Sequence, residues 1–450
     1  MLRRSLLVIL AFALQTMWFG SSALGQDTLP VTNQAPALSR YFDPKSGMTA
    51  DEAVANGLAH NADFLATRKD VDAARALVKQ AALRANPMID VERKEQLNGS
   101  DNQTMVGAML PLELGGRRSA RILVAQHELE MKERLLADRE RLLAAEVKMK
   151  FGQALGEMLK LAFTENLLTT TDRGYRLVTA RVTEGRTAPL EQNMVLVEVN
   201  RINSLRETEE GKVQIALLEL RNLIGMTPEE PVRLRGDLNP AVEPLLSVAL
   251  VTQAALNQRP DVQAARAAET LAEAQIQQAR SEGRFDASLS TKYELMNFGF
   301  PQKALDDTGA LVPINGRFHS LTVGVNLNLP VRNRNQGAVE AAVAEKEAAT
   351  RRREFAELTV RREIAASFAR YEQSMRAAEI YRVGVRDQAN ANLEVVRQIY
   401  ELGSKTLLDF IAEQRRFIEV ETSFIDSFLE TYLARVDIER ATASPNLITK

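Results

Sequence analysis

Asn61-Ala-Asp-Phe-Leu-Ala-Thr-Arg68, leading into Val78-Lys-Gln-Ala81, recurs as Arg259-Pro-Asp-Val-Gln-Ala-Ala-Arg266, leading into Ile276-Gln-Gln-Ala279, with the same offset for both blocks. Further on, Val106-Gly107 matches Val323-Gly324. Gly185 followed by Leu190-Glu191 matches Gly403 followed by Leu408-Asp409, the offset having grown by a longer loop in the second copy. A duplication on this scale fixes the architecture before any motif is sought. Each copy orders its parts as short helix, helix, two strands, a very long helix, a tight turn and a returning helix. The copies span 48–225 and 246–442, joined by a proline- and acid-rich linker at 226–245 and followed by a tail at 443–450.

The clearest strand is Ser320–Val331, where Leu321, Val323, Val325, Leu327, Leu329 and Val331 share one face and Ser320, Thr322, Gly324, Asn326 and Asn328 share the other. Phe285, Ala287, Leu289, Tyr293 and Leu295 alternate in the same way with Asp286, Ser288, Ser290, Lys292 and Glu294, and Ala108, Leu110, Leu112 and Leu114 do so more weakly. Asn98-Gly99 marks a hairpin between strands at about 87–97 and 103–114, and the second pair falls at about 285–297 and 319–331. Strands of about ten residues with one oily and one watery face match the length that crosses a bilayer when tilted. A soluble ribbon with one buried face is the alternative. Four strands cannot close a barrel, since known barrels start at about eight, so bilayer-spanning strands would have to be pooled between chains.

Helix fills most of the remainder. No proline lies between Pro111 and Pro189 or between Pro330 and Pro445, and about 65 residues of helix would make a rod of about 100 Å. Such a rod needs coiled-coil partners. Phe410-Ile411, Phe417-Ile418 and Phe424-Ile425 recur every seven residues, and Ile364, Phe368, Tyr371, Met375 and Ala378 step by three and four. Each long helix stops at a glycine, Gly185 or Gly403, and turns back at hairpin tips near 184–190 and 402–408.

Composition narrows the function. The 57 basic residues nearly balance the 59 acidic ones, so the basic excess typical of nucleic-acid binders is missing. Cysteine is absent, which removes disulfides, thiol nucleophiles and thiolate metal sites. Arg3 and Arg4, the apolar run Leu6–Leu14 and the small residues Ala23-Leu24-Gly25 predict a signal peptide over 1–25, followed by an extended leader over 26–47. With no cysteine near the cleavage point, lipid anchoring is not expected.

Catalytic signatures are missing. His60, His127 and His319 stand singly, and neither a zinc-protease motif nor a nucleophile elbow nor a dinucleotide fingerprint occurs. Gly403-Ser-Lys-Thr406 lacks the glycine that a phosphate loop places before its lysine and follows a helix instead of a strand. The triplets Asn98-Gly-Ser100 and Asn102-Gln-Thr104 read better as a hairpin loop than as glycosylation sites. No enzyme activity, cofactor or resident metal is expected.

This order of parts resembles the TolC-like outer-membrane efflux proteins from about Met48 to about Thr442. Pro111-Leu-Glu-Leu-Gly-Gly-Arg-Arg-Ser-Ala-Arg121 and Leu329-Pro-Val-Arg-Asn-Arg-Asn-Gln-Gly337, each at a strand-to-long-helix junction, look like the outer-membrane component of cobalt-zinc-cadmium systems of the RND class. The resemblance implies a mixed α and β fold. In a homotrimer, twelve pooled strands form one transmembrane β-barrel, continued by an α-helical coiled-coil barrel through the periplasm. It implies partners as well: a periplasmic adaptor (membrane fusion protein) at the tips, a proton-driven inner-membrane RND transporter, and outer-membrane lipid. The chain departs from many relatives in lacking a lipidated cysteine. Its only tryptophan, Trp18, lies in the signal segment, leaving Phe285, Tyr293, Phe298 and Phe318 for an aromatic girdle.

If the chain is a conduit, its chemistry lies in lining and gating. Gly185, Leu190, Gly403 and Leu408 are the candidate adaptor contacts. Asp286 and Glu294 are candidates for an acidic lumen that concentrates cations, opposed by Lys292 and Lys94. Glu191 and Asp409 are candidates for an acidic entrance, although an acid in the first turn stabilises any helix. The expected function is passive conduction, with divalent metal cations as the leading cargo. Drugs or other small organic compounds are the alternative cargo, and a poreless periplasmic coiled-coil scaffold is the alternative architecture.

Overall fold

In the computed structural model, residues 37–99, 101–238 and 247–443 are described. The signal peptide, half of the leader, part of the linker and nearly all of the tail lie outside these residues. The leader carries α1 (Leu38–Tyr41), and the first copy contains α2 (Ala50–His60), α3 (Ala62–Ala82), β1 (Met88–Glu95), β2 (Asn102–Pro111), α4 (Arg117–Thr183) and α5 (Pro189–Leu223). The second contains α6 (Val248–Gln258), α7 (Pro260–Glu282), β3 (Asp286–Leu305), β4 (Leu311–Asn328), α8 (Gln336–Ile380), α9 (Arg386–Glu401) and α10 (Leu407–Thr442).

Local chemistry sets these boundaries. Helix α2 opens with a reciprocal capping box, Glu52 N–H donating to Thr49 Oγ1 and Thr49 N–H to Glu52 Oε2. Helix α3 ends before Pro87, whose ring cannot follow a helical turn. The 67 residues of α4 extend about 100 Å at 1.5 Å per residue.

The long helix of the second copy is not continuous. A π-helical turn at Tyr381–Val385 separates α8 from α9, where the spacing predicts one unbroken helix up to Gly403. A π turn accommodates an extra residue, and just beyond it Arg386 donates through Nε and Nη2 to both carboxylate oxygens of Glu421 at 2.8 and 3.0 Å. The same guanidinium lies 4.7 Å above the Phe424 ring, a cation–π contact.

The main core forms where α4 crosses α5, α2 and α10. Leu143, Val147, Phe151, Leu161, Leu217, Leu220 and Ile224 are buried there. The linker contributes to this core. Val232, Leu234 and Leu238 enter this core, and Leu234 bridges the leader at Phe42 and Met48. A second cluster joins Val360, Ile364, Phe368 and Tyr371 of α8 to Ala434 and Ile438 of α10. The heptad residues of α10 also pack inward: Ile411 and Ile425 are buried, and Phe417 meets Phe163 edge-on at 5.9 Å.

The sheet is antiparallel in the order β1-β2-β3-β4, so among the described residues β1 and β4 each have one edge without a partner strand. Two expectations change. Gln96 N–H donates to the Asp101 carbonyl, which makes the first connection wider than a two-residue turn. Strands β3 and β4 run for 20 and 18 residues, not about ten. Their pairing continues past the end of β2 as a two-stranded ribbon up to Leu305↔Leu311.

Candidate functional site: sheet faces, junction and helical tips

The pairing register sorts the strands into two chemically distinct faces. On one, Ile89↔Ala108, Val91↔Val106, Val106↔Tyr293, Leu110↔Leu289, Thr291↔Val323 and Leu289↔Val325 lie side by side. On the other are Asp90↔Gly107, Lys94↔Gln103, Gly107↔Lys292, Ser288↔Asn326 and Glu294↔Ser320. The apolar face is bare: Ile89, Val91, Leu321 and Val323 are 74%, 71%, 72% and 68% exposed. Exposed apolar surface of this extent marks an interaction or membrane face. Residues 287–295 carry the band over about 27 Å of strand at 3.4 Å per residue, close to the ~25 Å apolar band of outer-membrane barrels once tilted. Among the described residues no helix is long and apolar enough to cross a membrane.

Glu294 lies on the polar face and accepts from Ser320 Oγ at 3.3 Å. Asp286, a candidate for the acidic lumen, shares that face by register, and its carboxylate is engaged at the junction. It accepts from the Leu114 N–H and from Arg117 Nη1, both at 2.9 Å, while Arg117 Nη2 also donates to the carbonyls of Glu282 and Arg284. Asp286 therefore fastens the foot of β3 to the start of α4.

The glycine-arginine motif at 115–121 is this junction. Gly115 and Gly116 adopt φ of 75° and 82°, conformations that glycine enters without steric cost. Arg118 donates to the Ala82 carbonyl, and Arg121 to those of Ala81 and Leu83 and to Glu113, so the two side chains close the last turn of α3. The Arg121 guanidinium holds the Glu113 carboxyl below its usual range. In the second copy Asn335, at φ 62°, does the corresponding work by donating to the Ala279 carbonyl of α7. Arg117, Arg118 and Arg121 were not singled out as site residues, although their clustering beside two glycines was a visible signal.

The two helical tips share one geometry. Gly185 has φ 74° and Gly403 has φ 76°. In each, the glycine N–H and the next N–H return to carbonyls of the last turn: Gly185 to Val182 and Arg186 to Arg181, Gly403 to Tyr400 and Ser404 to Ile399. This is the Schellman closure. Val178 and Val195 of the first hairpin pack with Leu407 and Ile411 of the second, which sets the tips side by side. Leu190, Leu402 and Leu408 remain 68%, 82% and 64% exposed. The two tip acids have local partners. Asp409 forms a capping box with Thr406, and the Thr406 hydroxyl and amide hold its carboxyl below the usual range. Glu191 accepts from Tyr400 Oη at 3.1 Å; burial and that neighbouring carboxylate push the Tyr400 phenol up to about 12. Among the described residues no cluster of three or more His, Cys, Asp or Glu could hold a metal ion.

A bare apolar sheet face carried on a helical body of about 100 Å defines a membrane channel component that extends away from its bilayer. More specifically, the chain belongs to the outer membrane efflux protein family, whose pattern matches residues 54–226 and 251–444, one block in each copy. It is an outer-membrane efflux channel protein of the tripartite-pump class that reaches into the periplasm. It is similar to the cobalt-zinc-cadmium resistance protein CzcC of Cupriavidus metallidurans, with 22% identity over 411 residues, 91% of this chain and 93% of that one. A membrane protein from Pseudomonas aeruginosa shares the fold at TM-score 0.72 and 21% identity, covering 87% of this chain and 92% of that one. CusC, known for conformational changes accompanying folding and transmembrane channel formation, does so at TM-score 0.72 and 16% identity, covering 92% and 96%.

Proposed function

We propose that three copies of this chain form a passive conduit that carries divalent metal cations out of the cell, delivered by an inner-membrane RND transporter through a periplasmic adaptor. The carrying observation is the sheet, with four strands, a free edge on β1 and on β4, and a bare apolar face on both hairpins. Three such sheets joined edge to edge supply twelve strands, a closed barrel within the known range, and closure removes the unpaired edges that a bilayer forbids. The cargo assignment rests on the resistance named for CzcC. The exposed Leu190, Leu402 and Leu408 at the apex suit a hairpin-to-hairpin contact with the adaptor, and opening is a population shift driven by that contact.

The test is deletion of the gene followed by complementation. Deletion should raise sensitivity to cobalt, zinc or cadmium. Restored growth with wild type, but not with Leu408→Asp plus Gly403→Pro, is expected while trimer and membrane insertion persist. Unchanged metal sensitivity with raised drug sensitivity would transfer the cargo to small organic compounds. Full complementation by the tip variant would overturn the tip contact.

A further inference from the structure

The β3–β4 hairpin reverses its polarity at the rung where it leaves the sheet. Along the four-stranded part, the face that carries Asp286, Ser288, Ser290, Lys292 and Glu294 is polar, and its β4 partners are Asn328, Asn326, Gly324, Thr322 and Ser320. The same face continues as Met296↔Phe318, Phe298↔Gly316, Phe300↔Ile314 and, past a bulge, Ala304↔Val312. It has become apolar. The opposite face changes in the other sense, from Thr291↔Val323 and Tyr293↔Leu321 to Asn297↔Arg317 and Gly299↔Asn315.

The switch point is built. Asn297 Nδ2 donates to Asn102 Oδ1 at 2.6 Å and Arg317 Nε to Asn297 Oδ1 at 3.2 Å, so a polar cluster closes the lipid-facing band where β2 ends. On the other face the Phe298 and Phe318 rings lie 6.4 Å apart, and the Phe318 and Phe300 rings cover Gly316 so closely that a Cβ there would meet them at 2.6 and 3.2 Å. Phe298, Phe300 and Phe318 are still 41%, 42% and 46% exposed. A two-stranded ribbon is at best marginal alone in water, and this one presents an aromatic face without a partner among the described residues.

We propose that this face is covered by the same ribbon of the other two copies, so that three hairpins converge above the barrel and close its outer mouth with an aromatic plug. The proposal rests on the trimeric channel reading. If the polar face of the barrel strands lines the lumen, then Met296, Phe298, Phe300, Ile314 and Phe318 point toward the axis by continuity of the register. Twelve strands spaced 4.8 Å apart and tilted about 40° enclose a ring about 24 Å across, which puts the axis about 12 Å from the wall. The ribbon runs about 20 Å beyond the last four-stranded rung at 3.4 Å per residue, enough to reach the axis. Outer-leaflet lipid is the weaker occupant, because the face continuous with the lipid-facing band is the polar one bearing Asn297, Asn315 and Arg317. An outer gate would let the adaptor-driven end and the cell-surface end open independently.

The chain has no cysteine, so single-cysteine variants of the full-length protein report proximity cleanly. Phe300→Cys in outer membranes, treated with a short bis-maleimide, should give covalent dimers, the largest product one thiol per chain allows, whereas Asn315→Cys on the opposite face should not. Phe298→Ser with Phe300→Ser and Phe318→Ser should raise single-channel conductance several-fold. Suppose the Phe300→Cys variant is a trimer by light scattering, yet its thiol does not cross-link, or a fluorophore attached to that thiol is quenched by brominated lipid. Either result overturns the plug and leaves the channel standing. A monomeric particle would defeat the trimer reading itself.

Discussion

Arg117 and Asp286 are 169 positions apart in sequence and meet at 2.9 Å, where the strands become helices. Both side chains are roughly three-quarters buried, and the guanidinium also ties down the carbonyls of Glu282 and Arg284. Arg117→Ala leaves a shielded carboxylate and two carbonyls without their donor, a loss of about 1.5–3 kcal/mol for hydrogen bonds of this charged kind. Reduced resistance of the extracted protein to urea unfolding checks it. Asp286→Asn should also cost stability, because its amide keeps one acceptor and turns its NH2 toward a donor, where both carboxylate oxygens now accept. If Asp286 acted as a lumen charge, Asp286→Asn would instead change cation selectivity at unchanged stability.

Two helical glycines should respond to alanine with opposite signs. At Gly174 an added Cβ meets nothing within 4 Å, so the gain of about 1 kcal/mol in helix propensity is free to appear. At Gly152 a Cβ would stand 2.3 Å from Tyr432 Cε1, where α10 crosses α4 against the main core. Overpacking of that kind typically costs about 1–3 kcal/mol and outweighs the propensity. Thermal unfolding of both variants checks it, with Gly174→Ala above wild type and Gly152→Ala below.

Period-two and heptad patterns were legible where one environment holds over many residues. Leu321 to Leu327 meets a single apolar phase throughout, and Ile411 and Ile425 are both buried on one face of α10. The upper half of the β3–β4 hairpin was not legible, because alternation continues there with its phase inverted, and Pro301 and Pro313 read as strand breakers. Pro313 is tolerated beside the bulge between Phe300 and Lys303. The π turn at Tyr381–Val385 was hidden for another reason: Arg386 just beyond it pairs with Glu421, 35 positions away, and no neighbouring residue in the sequence signals that partner. The Asp286 clamp also depends on a distant partner, so its sequence neighbours gave only the polar face.

Near the tips, acid should loosen the joint between the two hairpins. Glu198 is 2% exposed and accepts from Arg201 of its own helix and from Arg415 Nη2 of α10 at 3.0 Å. Burial pushes its carboxyl up, but the bonds from the two arginines outweigh burial and hold it below the usual value of 4.5. With the folded value depressed, Glu198 contributes stability above its unfolded value and loses it as pH falls through the lowered one. Protection of the amides in α5 and α10 beside Arg415, measured against their intrinsic exchange rate at each pH, should therefore fall as pH drops from neutral through the lowered Glu198 value. Glu198→Gln should show raised exchange already at neutral pH, by about 1–2 kcal/mol because both arginines reach solvent. Equal exchange in the variant and wild type across that range would make the pair inert.

The assignment of sheet faces gives the sharpest prediction. Val323 pairs with Thr291 at the middle of the apolar band and is 68% exposed, whereas Ser320 lies on the other face and donates to Glu294. An arginine in place of Val323 would sit at the bilayer midplane, where such a charge costs a strand barrel about 2–4 kcal/mol. An arginine in place of Ser320 would meet water and the Glu294 carboxylate. Val323→Arg should therefore reduce the assembled protein recovered from outer membranes, and Ser320→Arg should leave recovery near wild type. Normal recovery of Val323→Arg together with loss of Ser320→Arg would reverse the faces, and the aromatic ribbon above them would then face lipid instead of the axis.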